Sequence, residues 1–184
     1  MLAAISMSIW AIIAITPFCF VPASSASVII TAVEAGGDVV ITSSPGSLNI
    51  DGFVRVDSGL NPNVSIHPAS GHLWLRGGTL DNLNYGGFGP PNPHPGFTPS
   101  GGFGPGSASG GTFSGSGDPL AIFDNETLFV PAGYMSGDPL SSSSLTYHGQ
   151  SFASMGMTPG SYEWSWLIPT GGSDSITLNI GNSQ

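Results

Sequence analysis

The chain has 184 residues, with 2 Lys or Arg against 11 Asp or Glu and a formal net charge of −9. A surface so poor in cations repels a phosphate backbone and an anionic membrane leaflet, which excludes nucleic-acid binding. At 40% hydrophobic and 7% charged residues the chain is too apolar for the disordered class, so a packed core is expected under a surface of Ser, Thr, Asn and Gly.

Residues 2–21 are almost entirely apolar, broken by Ser6, Ser8, Thr16 and Pro17, and lead into Pro22-Ala23-Ser24-Ser25-Ala26. Small residues at Ser24 and Ala26 fit the −3 and −1 positions of a signal-peptidase site. The reading is a signal peptide over 1–26, cut between Ala26 and Ser27, and a secreted, extracellular product. No Lys or Arg precedes the apolar run, so the α-amino group alone supplies positive charge there. An uncleaved anchor is the alternative, since some 20 apolar residues suffice to span a bilayer; Pro17, Pro22 and the small-residue exit argue against it. The single cysteine, Cys19, lies in this segment, so residues 27–184 have neither disulfides nor thiol chemistry.

Beyond Ser27, short apolar runs alternate with polar residues and are bounded by Gly, Pro, Asn or Asp, the signature of strands and turns. Strands are predicted over 28–34 and 38–43, joined by Gly36-Gly37, a pair suited to a tight hairpin. Further strands are expected over 47–51, 64–67 and 72–76. The stretch 86–117 is dominated by Gly, Pro and Ser, with Phe88, Phe97, Phe103 and Phe113 spaced along it. It reads as a long surface loop pinned to the sheet by its phenylalanines, or as an adhesive segment that exposes them. Strands resume over 120–123, 127–130 and 145–148, and 161–167 and 175–180 close the domain. In 161–167, Tyr162, Trp164 and Trp166 alternate with Ser161, Glu163 and Ser165, which places three aromatics on one face. The pentapeptide Ser-Gly-Asp-Pro-Leu occurs at 116–120 and again at 136–140, and both copies read as turns ahead of strands. The fold expected for 27–184 is a single all-β domain, an antiparallel β-sandwich with jelly-roll-like connections.

Candidate chemistry is sparse. Of the four histidines, His67, His72, His94 and His148, none has a partner at helical metal-site spacing. His67 and His72 flank a turn over 68–71 that could bring them together. There is no Gly-x-Ser-x-Gly elbow; the nearest approach, Gly149-Gln150-Ser151-Phe152-Ala153, reads as a strand edge. No cofactor is expected. Calcium is the ion best suited to the turn aspartates Asp118, Asp138 and Asp174, whose hard oxygens sit beside glycines. The exposed-aromatic alternative makes Trp74, Trp164 and Trp166 a sugar-stacking platform, against the commoner outcome that they are core.

Five stretches resemble the PEP-CTERM sorting-domain proteins: 33–52 (VEAGGDVVITSSPGSLNIDG), 84–93 (NYGGFGPPNP), 116–123 (SGDPLAIF), 128–166 (LFVPAGYMSGDPLSSSSLTYHGQSFASMGMTPGSYEWSW) and 174–181 (DSITLNIG). The resemblance implies a small secreted β-rich domain of a Gram-negative bacterium that produces exopolysaccharide, sitting in or on the extracellular matrix. No catalytic residue comes with it. The family's name refers to a C-terminal tail with Val-Pro-Glu-Pro, an apolar helix and a basic end; this sequence stops at Gly181-Asn182-Ser183-Gln184, so release without a stable membrane anchor is expected.

The function read from the sequence is therefore that of a secreted structural or interaction protein of the matrix or cell surface. Its expected partners are extracellular polysaccharide or matrix proteins. The alternatives are a carbohydrate-binding module that uses surface aromatics, and a polysaccharide-acting hydrolase whose one nameable pair is His148 and Ser151. No enzyme activity is expected.

Overall fold

A computed structural model describes residues 27–60, 65–75, 78–86, 94–107 and 112–181. Residues 1–26, where the expected signal peptide and its cleavage residue Ala26 fall, and Val64, Arg76 and Phe88 lie outside the described residues.

Strand β1 (Val28–Ala35) is buried at every second residue through Ala32, and β2 (Asp38–Ser43) repeats the pattern. They form a hairpin in which Ala35 faces Asp38 across a two-residue loop. Gly36 and Gly37 take φ of 64° and 90° there, the left-handed values that a tight turn between right-twisted strands requires. β3 (Gly46–Ser47) is short and β4 (Phe53–Leu60) is long and irregular. After a 3-10 turn over Pro68–Ser70 come β5 (Leu73–Trp74), β6 (Leu80–Tyr85), β7 (Phe97–Thr98) and β8 (Phe113–Ser116). The remaining strands are β9 (Ala121–Ile122), β10 (Thr127–Pro131), β11 (Pro139–Leu140), β12 (Ser144–Tyr147), β13 (Gly160–Leu167) and β14 (Ser173–Ile180). A single helical turn, α1 (Phe152–Met155), precedes β13.

The strands form a seven-stranded sheet, β7-β13-β14-β1-β2-β12-β8, and a five-stranded sheet, β4-β6-β10-β9-β5; β11 and β3 make a small two-stranded pair. One core joins the two large sheets. Ile30, Ile41, Tyr147, Trp164 and Leu178 of the larger meet Leu73, Leu83, Ile122 and Leu128 of the smaller. The domain is the expected β-sandwich, and the chain passes repeatedly from one sheet to the other. Among the described residues every strand pair is antiparallel but one: β1 and β14 run parallel, from Val28↔Ile176 to Ala32↔Ile180.

The alternation in β13 has its predicted outcome. Trp164 and Trp166 point into the core, while Ser161 and Glu163 point out. Phenylalanines of the Gly/Pro-rich stretch divide between its two readings: Phe97 and Phe103 are buried in the core, and Phe113 is 44% exposed. That stretch also contains β7 and β8, so it is not all loop. Gly149-Gln150-Ser151-Phe152-Ala153, expected as a strand edge, instead starts α1. The Ser151 side chain accepts from Ser154 N–H, and Ser154 Oγ accepts from Ser151 N–H, a reciprocal cap that favours a helical turn.

Candidate functional site

The outward side chains of the larger sheet follow from strand parity, since successive residues alternate between faces. Because the core takes Ile30, Ala32, Ile41, Leu145, Ile176, Leu178 and Ile180, the residues between them face solvent. Register then aligns one row across six strands. Ser161 pairs with Asn179, Asn179 with Thr31, Thr31 with Thr42, Thr42 with Ser144, and Ser144 with Ser116. All six are exposed or half-exposed, and each carries a group that both donates and accepts hydrogen bonds. At about 4.8 Å per strand the row runs roughly 24 Å.

Beside this face, at the β1–β2 turn, lies a cleft of about 320 Å³ lined by Glu34, Asp38, Gln150, Ser151 and Ser154 among others. Glu34 Oε1 accepts the N–H of Phe152, and Asp38 Oδ1 accepts the N–H of Gly149 at 2.8 Å. The two carboxylates thus fasten the turn to the loop that carries α1. Asp38 is held below the usual carboxylate range, first by the Gly149 N–H and then by His148.

The proposed sugar platform requires correction. Trp74, Trp164 and Trp166 are 5%, 0% and 1% exposed, so none offers a ring face to a ligand. Trp164 and Trp166 lie in the main core. Trp74 belongs to a second cluster with Leu80, Ala121 and Phe129, its ring centroid 4.8 Å from that of Phe129. Apolar burial explains all three: each Trp removes roughly 150–250 Å² from water.

The turn aspartates are also spent internally. Asp118 Oδ2 accepts from Ser141 N–H at 2.7 Å and Asp138 Oδ2 from Met135 N–H at 2.8 Å. Buried Asp174 accepts from Asn49 N–H at 2.6 Å and from Ser175 N–H at 2.7 Å. Among the described residues no three His, Cys, Asp or Glu gather as a metal site, so the structure does not bring these aspartates together as a calcium cage. The two pentapeptide copies differ as well: the second is a turn closed by its own Asp138, whereas Asp118 reaches a distant segment.

His67 and His72 do meet across their turn, paired as an antiparallel bridge with ring centroids 5.7 Å apart. His72 stacks on Phe123 at 4.1 Å. Burial, and next the proximity of His67, push its pKa below the usual 6.5, against the opposing pull of Asp124. Asp124 is itself engaged, by Ser100 N–H and Oγ–H and by Gly102 N–H.

His148 does not pair with Ser151. Its ring bonds Asp38 and Ser114 instead, two residues that sequence reasoning left out of the site. Ser114 lies in the low-complexity stretch and Asp38 reads as a hairpin residue; the signal that could have found them is a strand register that aligns 38, 148 and 114 on one face.

Fold and face together define a β-sandwich with a broad, polar, hydrogen-bonding surface. No protein-family profile matches the chain, and no curated protein or solved structure is significantly similar to it.

Proposed function

We propose that this is a secreted structural or interaction protein of the extracellular matrix or cell surface, akin to the PEP-CTERM proteins, and that it associates with exopolysaccharide through the outer face of its larger sheet. The observation that carries this reading is the row Ser161, Asn179, Thr31, Thr42, Ser144 and Ser116. A polyhydroxyl chain laid across the strands meets a donor or acceptor at every strand spacing. Hydroxyl and amide groups satisfy sugar hydroxyls in either direction. With 11 acids against 2 bases, the protein favours a neutral polysaccharide over an anionic one.

Saturable co-sedimentation of the protein with insoluble cellulose, as the neutral probe, is the expected result. Replacing the cross-strand pair Thr31 and Thr42 with Val keeps shape and strand preference while deleting two hydroxyls. The Thr31→Val/Thr42→Val protein should bind at least about tenfold more weakly, about 1.4 kcal/mol. Undiminished binding by the double variant would move the contact off this face. Concentration-dependent self-association without polysaccharide binding would favour protein–protein assembly.

A further inference from the structure

Three polar side chains of the same outer face form a connected set. Tyr147 pairs with Val39 on one side and with Phe113 on the other, so the next position, 148, lies opposite 38 and 112. The His148 N–H donates to Thr112 O at 3.0 Å, which continues the β8–β12 ladder by one residue. Parity then puts Asp38, His148 and Ser114 on one face, at the end of three adjacent strands. His148 Nδ1 lies 3.1 Å from Asp38 Oδ2, and His148 Nε2 lies 3.0 Å from Ser114 Oγ. The second Asp38 oxygen accepts from Gly149 N–H at 2.8 Å, so the carboxylate is fixed at both oxygens.

The partners set the tautomer. An ionised carboxylate only accepts, so Nδ1 carries the proton and donates it to Asp38. Nε2 is left with its lone pair toward Ser114, whose Oγ–H donates to it. An incidental surface network would have no preference for which ring nitrogen meets which partner; this one has the order acid–Nδ1, Nε2–hydroxyl that activates a serine. The ladder supplies a further group. Residues 112 and 148 face each other with their backbone bonds, so 114 and 146 do likewise, and Gly115 turns its N–H away from β12. β8 is the last strand of the sheet among the described residues, and that N–H, directly after Ser114, points to the open edge.

We propose that Ser114, His148 and Asp38 are the nucleophile, general base and orienting acid of an acyl-transfer site that takes unhindered, short-chain carboxylic esters. Ser114 Oγ attacks the ester carbonyl carbon, its proton passes to His148 Nε2, and the carbonyl π electrons move to oxygen beside the Gly115 N–H. Collapse breaks the bond to the alkoxy oxygen, which takes the proton from Nε2 and leaves as the alcohol. Water then gives a proton to Nε2 and attacks the acyl-serine. The bond to Oγ breaks, Oγ recovers the proton, and the carboxylic acid is released. The cycle consumes only ester and water. A short acyl group suits the site because Ser114 stands exposed on an open strand.

The test uses the full chain with a fluorophosphonate probe and with p-nitrophenyl acetate, and depends in no way on polysaccharide binding. One probe per chain on the peptide containing Ser114, together with turnover of the acetate, is expected. Ser114→Ala should lose both. Asp38→Asn should slow acylation by about 10²–10⁴-fold, because the ring loses the acceptor that fixes its tautomer, and Asp38→Glu should restore part of the rate. Ser70→Ala, at another exposed serine, serves as the control and should leave both unchanged. Circular dichroism of each variant confirms the fold. Absence of labelling in the parent protein, or labelling and turnover that persist in folded Ser114→Ala, overturns the proposal.

Discussion

Asp118, in the first Ser-Gly-Asp-Pro-Leu copy, accepts a hydrogen bond from the backbone N–H of Ser141 at 2.7 Å, and Ser141 is the residue that directly follows the second copy. The first repeat therefore braces the exit of the second. Ser143 reinforces the joint, because its Oγ–H donates to the Asp118 carbonyl oxygen.

That brace makes a prediction. Asp118→Ala leaves the Ser141 N–H without its charged acceptor and should cost about 1–2 kcal/mol, read as a lower midpoint in urea denaturation. Asp138→Ala, whose carboxylate closes a local exposed turn on Met135 N–H, should cost less. Equal losses would mean that the two copies are equivalent turns after all.

Trp166 and Asp174 are cross-strand partners that hold Asn49 between them: the indole Nε1–H donates to Asn49 O at 2.7 Å, and Asp174 accepts from Asn49 N–H at 2.6 Å. Trp164 is equally buried, but its Nε1 has no hydrogen-bond partner among the described residues. Phe at either position loses similar apolar volume, so the difference between the two variants isolates the hydrogen bond. Trp166→Phe should be less stable than Trp164→Phe by about 1–2 kcal/mol. Matching thermal midpoints for the two variants would remove the Asn49 contact as a source of stability.

How legible the fold was depends on where each strand lies. β1, β2, β13 and β14 alternate apolar and polar residues and were read within two residues at each end. β4 and β6 escape a local reading because charged and polar side chains interrupt them: Arg55 and Asp57 in one, Asp81, Asn82 and Asn84 in the other. Asp81 and Asn84 are nevertheless buried, and Asp81 is held by Arg55 and by the N–H groups of Gly59 and Gly133, contacts that a local pattern does not encode. β8, with the sequence Phe-Ser-Gly-Ser, is exposed at all four positions, so it has no alternation to detect. The composition pointed to a Ser/Thr/Asn surface, but not to its alignment, since that row draws on six strands whose register is set by tertiary pairing. The same holds for His148, which lies 34 residues from Ser114 and 110 from Asp38.

The stacked histidine makes a prediction about pH. His72 faces the His67 ring, Phe123 and Asp124, and its pKa is lowered from 6.5, chiefly by burial. The unfolded chain therefore takes up a proton at this position at a pH where the folded chain does not, so stability falls as pH drops through 6.5 toward the folded value and levels off below it. His72→Phe retains an aromatic ring against Phe123 and removes the titration. Its thermal midpoint should fall less than that of the parent between neutral pH and pH 5.5. Parallel midpoint curves would show that His72 binds its proton equally in both states.

Asp81 is nearly fully buried and gathers three donors. Arg55 Nε lies 3.2 Å from Oδ2, Gly133 N–H donates to the same oxygen at 2.8 Å, and Gly59 N–H donates to Oδ1 at 3.3 Å. Arg55 also donates through Nη2 to Tyr134 O at 2.8 Å. Register shifts fall on either side of Asp57 in β4, so this carboxylate holds a strand whose own ladder is interrupted. Arg55→Met strips the cation and leaves a buried anion with two backbone donors. Because the Arg side chain is 43% exposed, solvent screening reduces the loss to about 1–3 kcal/mol. Asp81→Asn spares the burial cost of a charge but turns an amide donor toward at least one of the three donors. Each change removes much of what the other would have removed, so the double variant should be less damaged than the sum of the singles by about 1 kcal/mol or more. Strictly additive losses in a urea-denaturation double-mutant cycle would reduce the pair to a surface contact and leave the backbone N–H groups of Gly59 and Gly133 as what holds β4 in place.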